Sequence, residues 1–354
     1  MALRCMYSGI SGMKVNQNKL DVIGNNIANS DTTAFKASSA RFKDMLYQNA
    51  GVATAPTVSL GGTNNKQVGL GAQLSSINKL MTQGNALSTN RTLDFCIDGD
   101  GYFIATKGDI DAGIGVDATT GSQDSTKDVG NISQTYYTRD GNLALDYQGN
   151  LLTSDGHRIM GYYLTDGNAT GVTSLAKNST TGALDATYVN ADSTKLEKVD
   201  DVMRPLAIPD SVTVTSGGTT KTVPVTKIEV GTDGVIIATL GDNSRTALGQ
   251  IGMASFKNPE GLTDKGGNFA ESSANSGPVV YKTGKQIPAT SGSTAPQGNE
   301  AGFGSIIQGA LEGSNVDLTE QFTDLITATR SFQASSKMIS TGDEILQTIT
   351  GLIR

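Results

Sequence analysis

The sequence predicts a mainly β protein framed by two long terminal α-helices. It places one β domain inserted in another and forms a helical coiled-coil domain from the paired N- and C-termini. Three observations predict this. Near the start, Leu3, Met6, Ile10, Met13, Leu20, Ile23 and Ile27 recur at spacings of three, four or seven, which aligns them on one stripe of a helix. Near the end, Leu325, Phe332, Ile339, Leu346 and Ile353 repeat every seven residues, and Phe322, Ile326, Met338, Ile345, Ile349 and Leu352 widen that face. Between them, a chain of 354 residues with 43 Gly, no Trp and only 37% apolar residues suits short strands and turns better than a helical core.

The first helix is expected to end within Gly24-Asn-Asn-Ile-Ala-Asn-Ser-Asp-Thr-Thr-Ala-Phe-Lys36, where Asn, Ser, Asp and Thr side chains compete for backbone hydrogen bonds. Phe42, Met45 and Leu46 then anchor a short helix or extended arm, and 49–67 reads as loop. Val68–Gly71 and Leu74–Leu80 alternate like half-buried strands. Leu93–Ile97, Asp98-Gly-Asp-Gly101 and Tyr102–Ala105 read as strand, tight turn and strand, with the Asp-Gly pairs supplying positive φ. Turns at 140–142, 148–150 and 154–157 predict a meander from Tyr136 to Tyr163.

Short strands at Val212–Val214, Val223–Val225, Ile228–Val230 and Val235–Ile237 predict the inserted β domain, and Ile251–Phe256 resumes the first. Asp317 and Glu320 form a capping box for the last helix, which extends roughly 55 Å at 1.5 Å per residue. Gly342 inside it costs about 1 kcal/mol relative to Ala. The expected division is 1–30 with 312–354 as the terminal helical core, and 31–90 with 283–311 as a connecting arm. An inner β domain follows from 91–165 with 246–282, and an outer one from 166–245.

The net charge of −7 is spread thinly, without a basic stripe, which argues against nucleic acid. No stretch approaches the ~20 apolar residues of a membrane span. The N-terminus is too polar and too periodic for a cleaved secretory signal. Cys5 and Cys96 form no metal or disulfide pattern, and both read as small apolar residues. His157 sits in a Ser-Asp-Gly-His turn with no nucleophile motif around it. Asp98 and Asp100 lack the rest of a calcium loop, and Thr283-Gly-Lys285 lacks that of a phosphate loop. No catalytic, cofactor-binding or metal residue is assigned. The terminal helices remain, either packed on their own β core or serving contacts between subunits. A lone amphipathic helix buries its stripe only by association.

The Gly24–Lys36 stretch closely resembles the signature of the axial proteins of the bacterial flagellum, the rod and hook family. Asp98–Phe103, Thr138-Arg-Asp-Gly-Asn142, and Gly309–Asp317 leading into Ala328–Lys337 resemble the same family, in the same order. Gly24, Asn25, Asn26, Asn29, Phe35 and Lys36 are the signature-turn residues that the resemblance singles out. Within the family, some 80 residues between the meander and Asn258-Pro-Glu-Gly-Leu262 point to the hook type over the shorter distal-rod type. The resemblance implies a non-enzymatic subunit that polymerises with itself into the curved tube joining rod and filament. It implies passage through the type III export apparatus to the cell exterior. It also implies contacts with rod proteins, hook–filament junction proteins and a hook cap. The terminal helices would line the channel. A cysteine–lysine cross-link at Cys96, known in some spirochaete hooks, finds no corroborating context here, and a secreted adhesin is disfavoured by the heptad termini.

Overall fold

In the computed structural model, residues 2–57, 60–109, 111–117, 121–165, 175–177, 184–192, 196–216, 219–282 and 304–352 are described. The chain is mainly β, with two helices at its ends. It divides into two units, Met1–Thr82 with Ser314–Arg354, and Gln83–Gly313.

In the first unit, α1 spans Ala2–Ala28 and α2 spans Leu318–Leu352. At 1.5 Å per residue they are roughly 40 and 52 Å long. The Asp317 carboxylate caps α2, accepting the amides of Thr319 at 2.8 Å and Glu320 at 3.3 Å. The two helices run antiparallel. Gly9 and Gly12 lie against Ile339 and Ser335, Lys19 pairs with Asp324 at 3.2 Å, and Asn26 donates to Gln321 at 3.0 Å. Rising numbers in α1 thus meet falling numbers in α2.

The packing seam of α2 consists of two interleaved heptad lines. Leu325, Phe332, Ile339 and Leu346 are half-buried, and between them Gln321, Ala328 and Gly342 are buried, with Ser335 half-buried. The second line is built of small or polar residues, which lets the backbones approach. A Cβ on Gly9 would lie 3.1 Å from Ile339 Cγ1 and 3.4 Å from the Ser335 carbonyl oxygen. Gly342 is buried on this same line.

Among the described residues, four strands join the helices in this unit. β1 (Ser38–Asp44) pairs with β4 (Ala72–Lys79), and β2 (Tyr47–Gly51) with β3 (Lys66–Gly69), all antiparallel. The segment expected to be a short helix or extended arm is thus strand β1 and its turn into β2, the loop expected at 49–67 narrows to the stretch between β2 and β3, and the strands expected at Val68–Gly71 and Leu74–Leu80 correspond to β3 and β4. The strand character of this β ribbon comes from partners 15 to 41 residues away, which local propensity does not report.

In the second unit, β5 is Ala86–Ser88, β6 Phe95–Asp98 and β7 Tyr102–Gly108. The main sheet follows the path Ser211–Ser216, Thr219–Val230, Val235–Leu240, Arg245–Ile251, Arg158–Tyr162, β7, Ile132–Thr138, Phe269–Glu271 and Thr263–Gly266. Phe95, Phe103, Leu143, Ile159, Leu248 and Met253 meet in its core.

Two expectations are corrected here. β6 and β7 flank Asp98-Gly-Asp-Gly101 but do not pair. β6 pairs with Ser305–Gln308, and β7 with Ile132–Thr138. The positive φ of Gly99 (111°) and Gly101 (144°) is as expected, yet it turns the chain between sheets instead of closing a hairpin. The meander holds for Leu143–Leu145, Leu151–Thr153 and Arg158–Tyr162. The strand carrying Tyr136 leaves it to pair with β7 and Phe269–Glu271. Val223–Val225 and Ile228–Val230 belong to one strand, Thr219–Val230, with a register shift between Val225 and Lys227. Ile353, most of the 283–311 linker, Thr283-Gly-Lys285 and much of 166–195 lie outside the described residues, as do the side chains of Leu3 and Cys5.

Candidate functional site

The signature turn is a polar knot. α1 continues through Gly24, Asn25 and Asn26 and ends at Ala28. Asn26 is buried. Its amide nitrogen donates to the Ser38 carbonyl at 2.8 Å and to Gln321 Oε1 at 3.0 Å, and its oxygen accepts the Ser38 amide at 3.0 Å. One side chain thereby ties α1 to β1 and α2. Asn29 closes the helix end by donating to the carbonyl and the side-chain oxygen of Asn25, both at 2.9 Å. Lys36 Nζ reaches the Thr82 carbonyl at 2.8 Å, and the Phe35 carbonyl accepts the Asn315 amide at 3.3 Å.

Asn315 was not singled out in the sequence, although it lies in the Gly309–Asp317 stretch. Its oxygen accepts the Ala37 amide at 2.7 Å, and its nitrogen donates to the carbonyls of Leu80 at 2.7 Å and Thr82 at 3.0 Å. Asn and Gln suit this role because each amide both donates and accepts. Ala34 holds φ at 57°, a left-handed conformation that costs a residue bearing Cβ about 1 kcal/mol. Ala34→Gly is therefore expected to raise the stability of this unit by about 0.5–1 kcal/mol, read as a shift of the urea midpoint at unchanged slope.

The helix pair leaves much of its apolar surface uncovered. In α1, Ile23 is buried, Met6, Met13, Leu20 and Ile27 are half-buried, and Ile10 is exposed; Val15, absent from the predicted stripe, is buried. In α2, Phe322, Ile326, Met338, Ile345, Ile349 and Leu352 are all exposed, between 46% and 81%. Two packed helices showing this many apolar side chains present a surface suited to association.

A second polar junction holds the Gln83–Gly313 unit. Arg139 and Glu312 are 7% and 1% exposed, and the guanidinium bonds the carboxylate at 3.1 and 3.2 Å. Arg139 also donates to the carbonyls of Gly101, at 2.9 Å, and Gly99, while Glu312 accepts the Gly84 amide at 3.1 Å. Three separate motif stretches therefore converge on one buried ion pair.

The remaining chemistry-bearing residues are structural. His157 packs against the rings of Tyr136 and Phe269, with centroids 5.1 and 4.8 Å away. Cys96 is fully buried in β6 opposite Ile307. Among the described residues, no group of three or more His, Cys, Asp or Glu is placed to hold a metal, and no helix is long and apolar enough to cross a membrane.

Comparison with known proteins agrees with this layout. Residues 6–36 match the family model "Flagella basal body rod protein", 128–238 match "Flagellar hook protein FlgE/F/G D1 domain", and 307–352 match "Flagellar basal body rod FlgEFG protein C-terminal". The chain is 36% identical over 354 residues to flagellar basal-body rod protein FlgG of Bacillus subtilis, covering 99% of this chain and 100% of that one. It is 29% identical over 479 residues to flagellar hook protein FlgE of Borreliella burgdorferi, covering 99% of each. The Helicobacter pylori flagellar hook protein FlgE2, a solved structure, superposes with TM-score 0.37 at 9% identity over 64% of this chain and all of that one.

Proposed function

The chain belongs to the flagellar rod and hook family, a structural part of the flagellar basal body and hook outside the cell, and we propose that it is a subunit of the distal rod. Length carries the choice. Relatives named as rod proteins align nearly end to end over 352 to 355 residues, whereas the two hook relatives that cover 99% of this chain need 476 and 479. The 80 residues at 166–245 pointed to the hook when taken alone. Rod relatives accommodate them without a change of overall length, so they do not favour the hook.

In this reading the helix pair, 1–30 with 312–354, forms the polymer core and lines the channel. The exposed row on α2 is its contact with neighbouring copies, in coiled-coil fashion. The ribbon acts as the connecting arm, and the β domains at 91–165 with 246–282, and at 166–245, face outward. Subunits arrive through the type III export apparatus, and other rod proteins and hook subunits flank them along the axis. The hook–filament junction proteins and hook cap become neighbours only in the hook reading.

Two measurements test this. The full chain is expected to form tubes in polymerising salt under electron microscopy, and Gln83–Gly313 alone is not. A full chain that stays monomeric would leave the self-packed helix pair as the whole role of the termini. In isolated hook–basal bodies, an epitope tag on this chain should be immunolabelled on the rod; label on the curved segment would reassign it to the hook.

A further inference from the structure

We propose that a groove between α1 and the β ribbon receives the projecting end of α2 from a second copy of this chain, a contact that rests on the assembly reading above. The groove encloses about 520 Å³ and is lined by Tyr7, Ile10, Lys14 and Val15 of α1 and by Leu70 and Leu74 of the ribbon. Most of the surface it offers is apolar, with Ser11, Lys14, Asn18 and Gln73 as the polar residues of its lining. The α2 helix of the same chain does not fill it. At 100° per residue, Tyr7, Ile10 and Lys14 fall on the side of α1 opposite Gly9, Gly12 and Ile23, the side that α2 occupies.

The end of α2 supplies a matching occupant. Gly9 is level with Ile339, so the antiparallel register brings the start of α1 to about Leu346, and the last turn of α2 runs past it. Ile345, Ile349 and Leu352 are 53%, 46% and 81% exposed. They stand at i, i+4 and i+7, the spacing by which a helix lays one face into a groove. Glu344 flanks this row and is exposed, while Lys14 is the one charged side chain lining the groove. The charges are complementary and set the register. A second copy therefore offers, over the last two to three turns of α2, both the apolar row and the opposite charge that the groove presents.

The test uses the full chain with Leu352 replaced by photoreactive p-benzoylphenylalanine, mixing nitrogen-15-labelled and unlabelled copies in polymerising salt. Irradiation is expected to yield cross-links of mixed isotope composition from position 352 to residues 7–18 or 70–74 of the other copy. Links within one isotope only, or to other segments, in samples that do form tubes would overturn the docking and leave the assembly reading intact. Absence of tubes from the unaltered chain would overturn both. Should the photoreactive variant itself not assemble, charge reversal decides. Lys14→Glu and Glu344→Lys are each expected to raise the concentration needed for assembly about tenfold, and the double variant to restore it. A double variant no better than either single one counts against the contact.

Discussion

Glu312→Ala is expected to destabilise the Gln83–Gly313 unit by about 3–5 kcal/mol, because removing one partner leaves a buried guanidinium without its counter-charge. For a unit of this size that corresponds to a fall in Tm of roughly 10 °C by calorimetry. Arg139 is 7% exposed, so solvent does not rescue the orphaned charge. The carbonyls of Gly99 and Gly101 would still accept from it, which sets the effect below that of an isolated buried ion. Removing both charges, as in Arg139→Met with Glu312→Leu, should cost far less than the two single losses combined. A Glu312→Ala protein melting within a degree or two of the parent would show that the pair is not the lock between these motifs.

Lys198→Met is expected to work in the opposite direction. Lys198 is 9% exposed, and its Nζ lies 3.9 Å from the centre of the Tyr162 ring. Burial lowers its pKa from 10.5 to about 8, and the nearby Asp201 carboxylate only partly opposes this. The folded state thus holds the charged amine at a cost of about 3 kcal/mol at neutral pH, against which the contact with the ring returns roughly 1 kcal/mol. Methionine at this position should stabilise the unit by about 2 kcal/mol at pH 7.

The pH dependence has a definite sign. A depressed lysine pKa means that the unfolded chain binds more protons between about 8 and 10.5, so stability rises with pH across that window and is lost again as pH falls to 8. Burial raises the hydroxyls of Tyr162, Tyr163 and Tyr281 above their ordinary value of 10.0. They favour the fold below that value, and this contribution is lost as pH climbs beyond it. The parent should therefore gain stability from pH 8 to about 10 and then lose it, while Lys198→Met keeps only the loss. Denaturant unfolding at pH 7, 8, 9 and 10 reads the difference; parallel curves for the two proteins would rule out the buried amine as its source.

The sequence by itself determined the helical termini, their lengths and the cap at Asp317, because periodicity, capping and turn chemistry act within a few residues. It also marked the two polar junctions without revealing their partners. Asn26 and Arg139 stood in recognisable stretches, yet Gln321 and Glu312 lie 295 and 173 residues away, and no local rule couples residues so far apart. The same gap explains β6 and β7. Their Asp-Gly turn is a local property, whereas the choice of strand partner depends on which edges the rest of the sheet leaves free. The helix seam shows the limit most clearly. Large residues every seven positions were visible, but the Gln321, Ala328, Ser335 and Gly342 line between them carries no hydrophobic signal. Only the packed structure makes those residues meaningful, because close approach of two backbones depends on the side chains that are small.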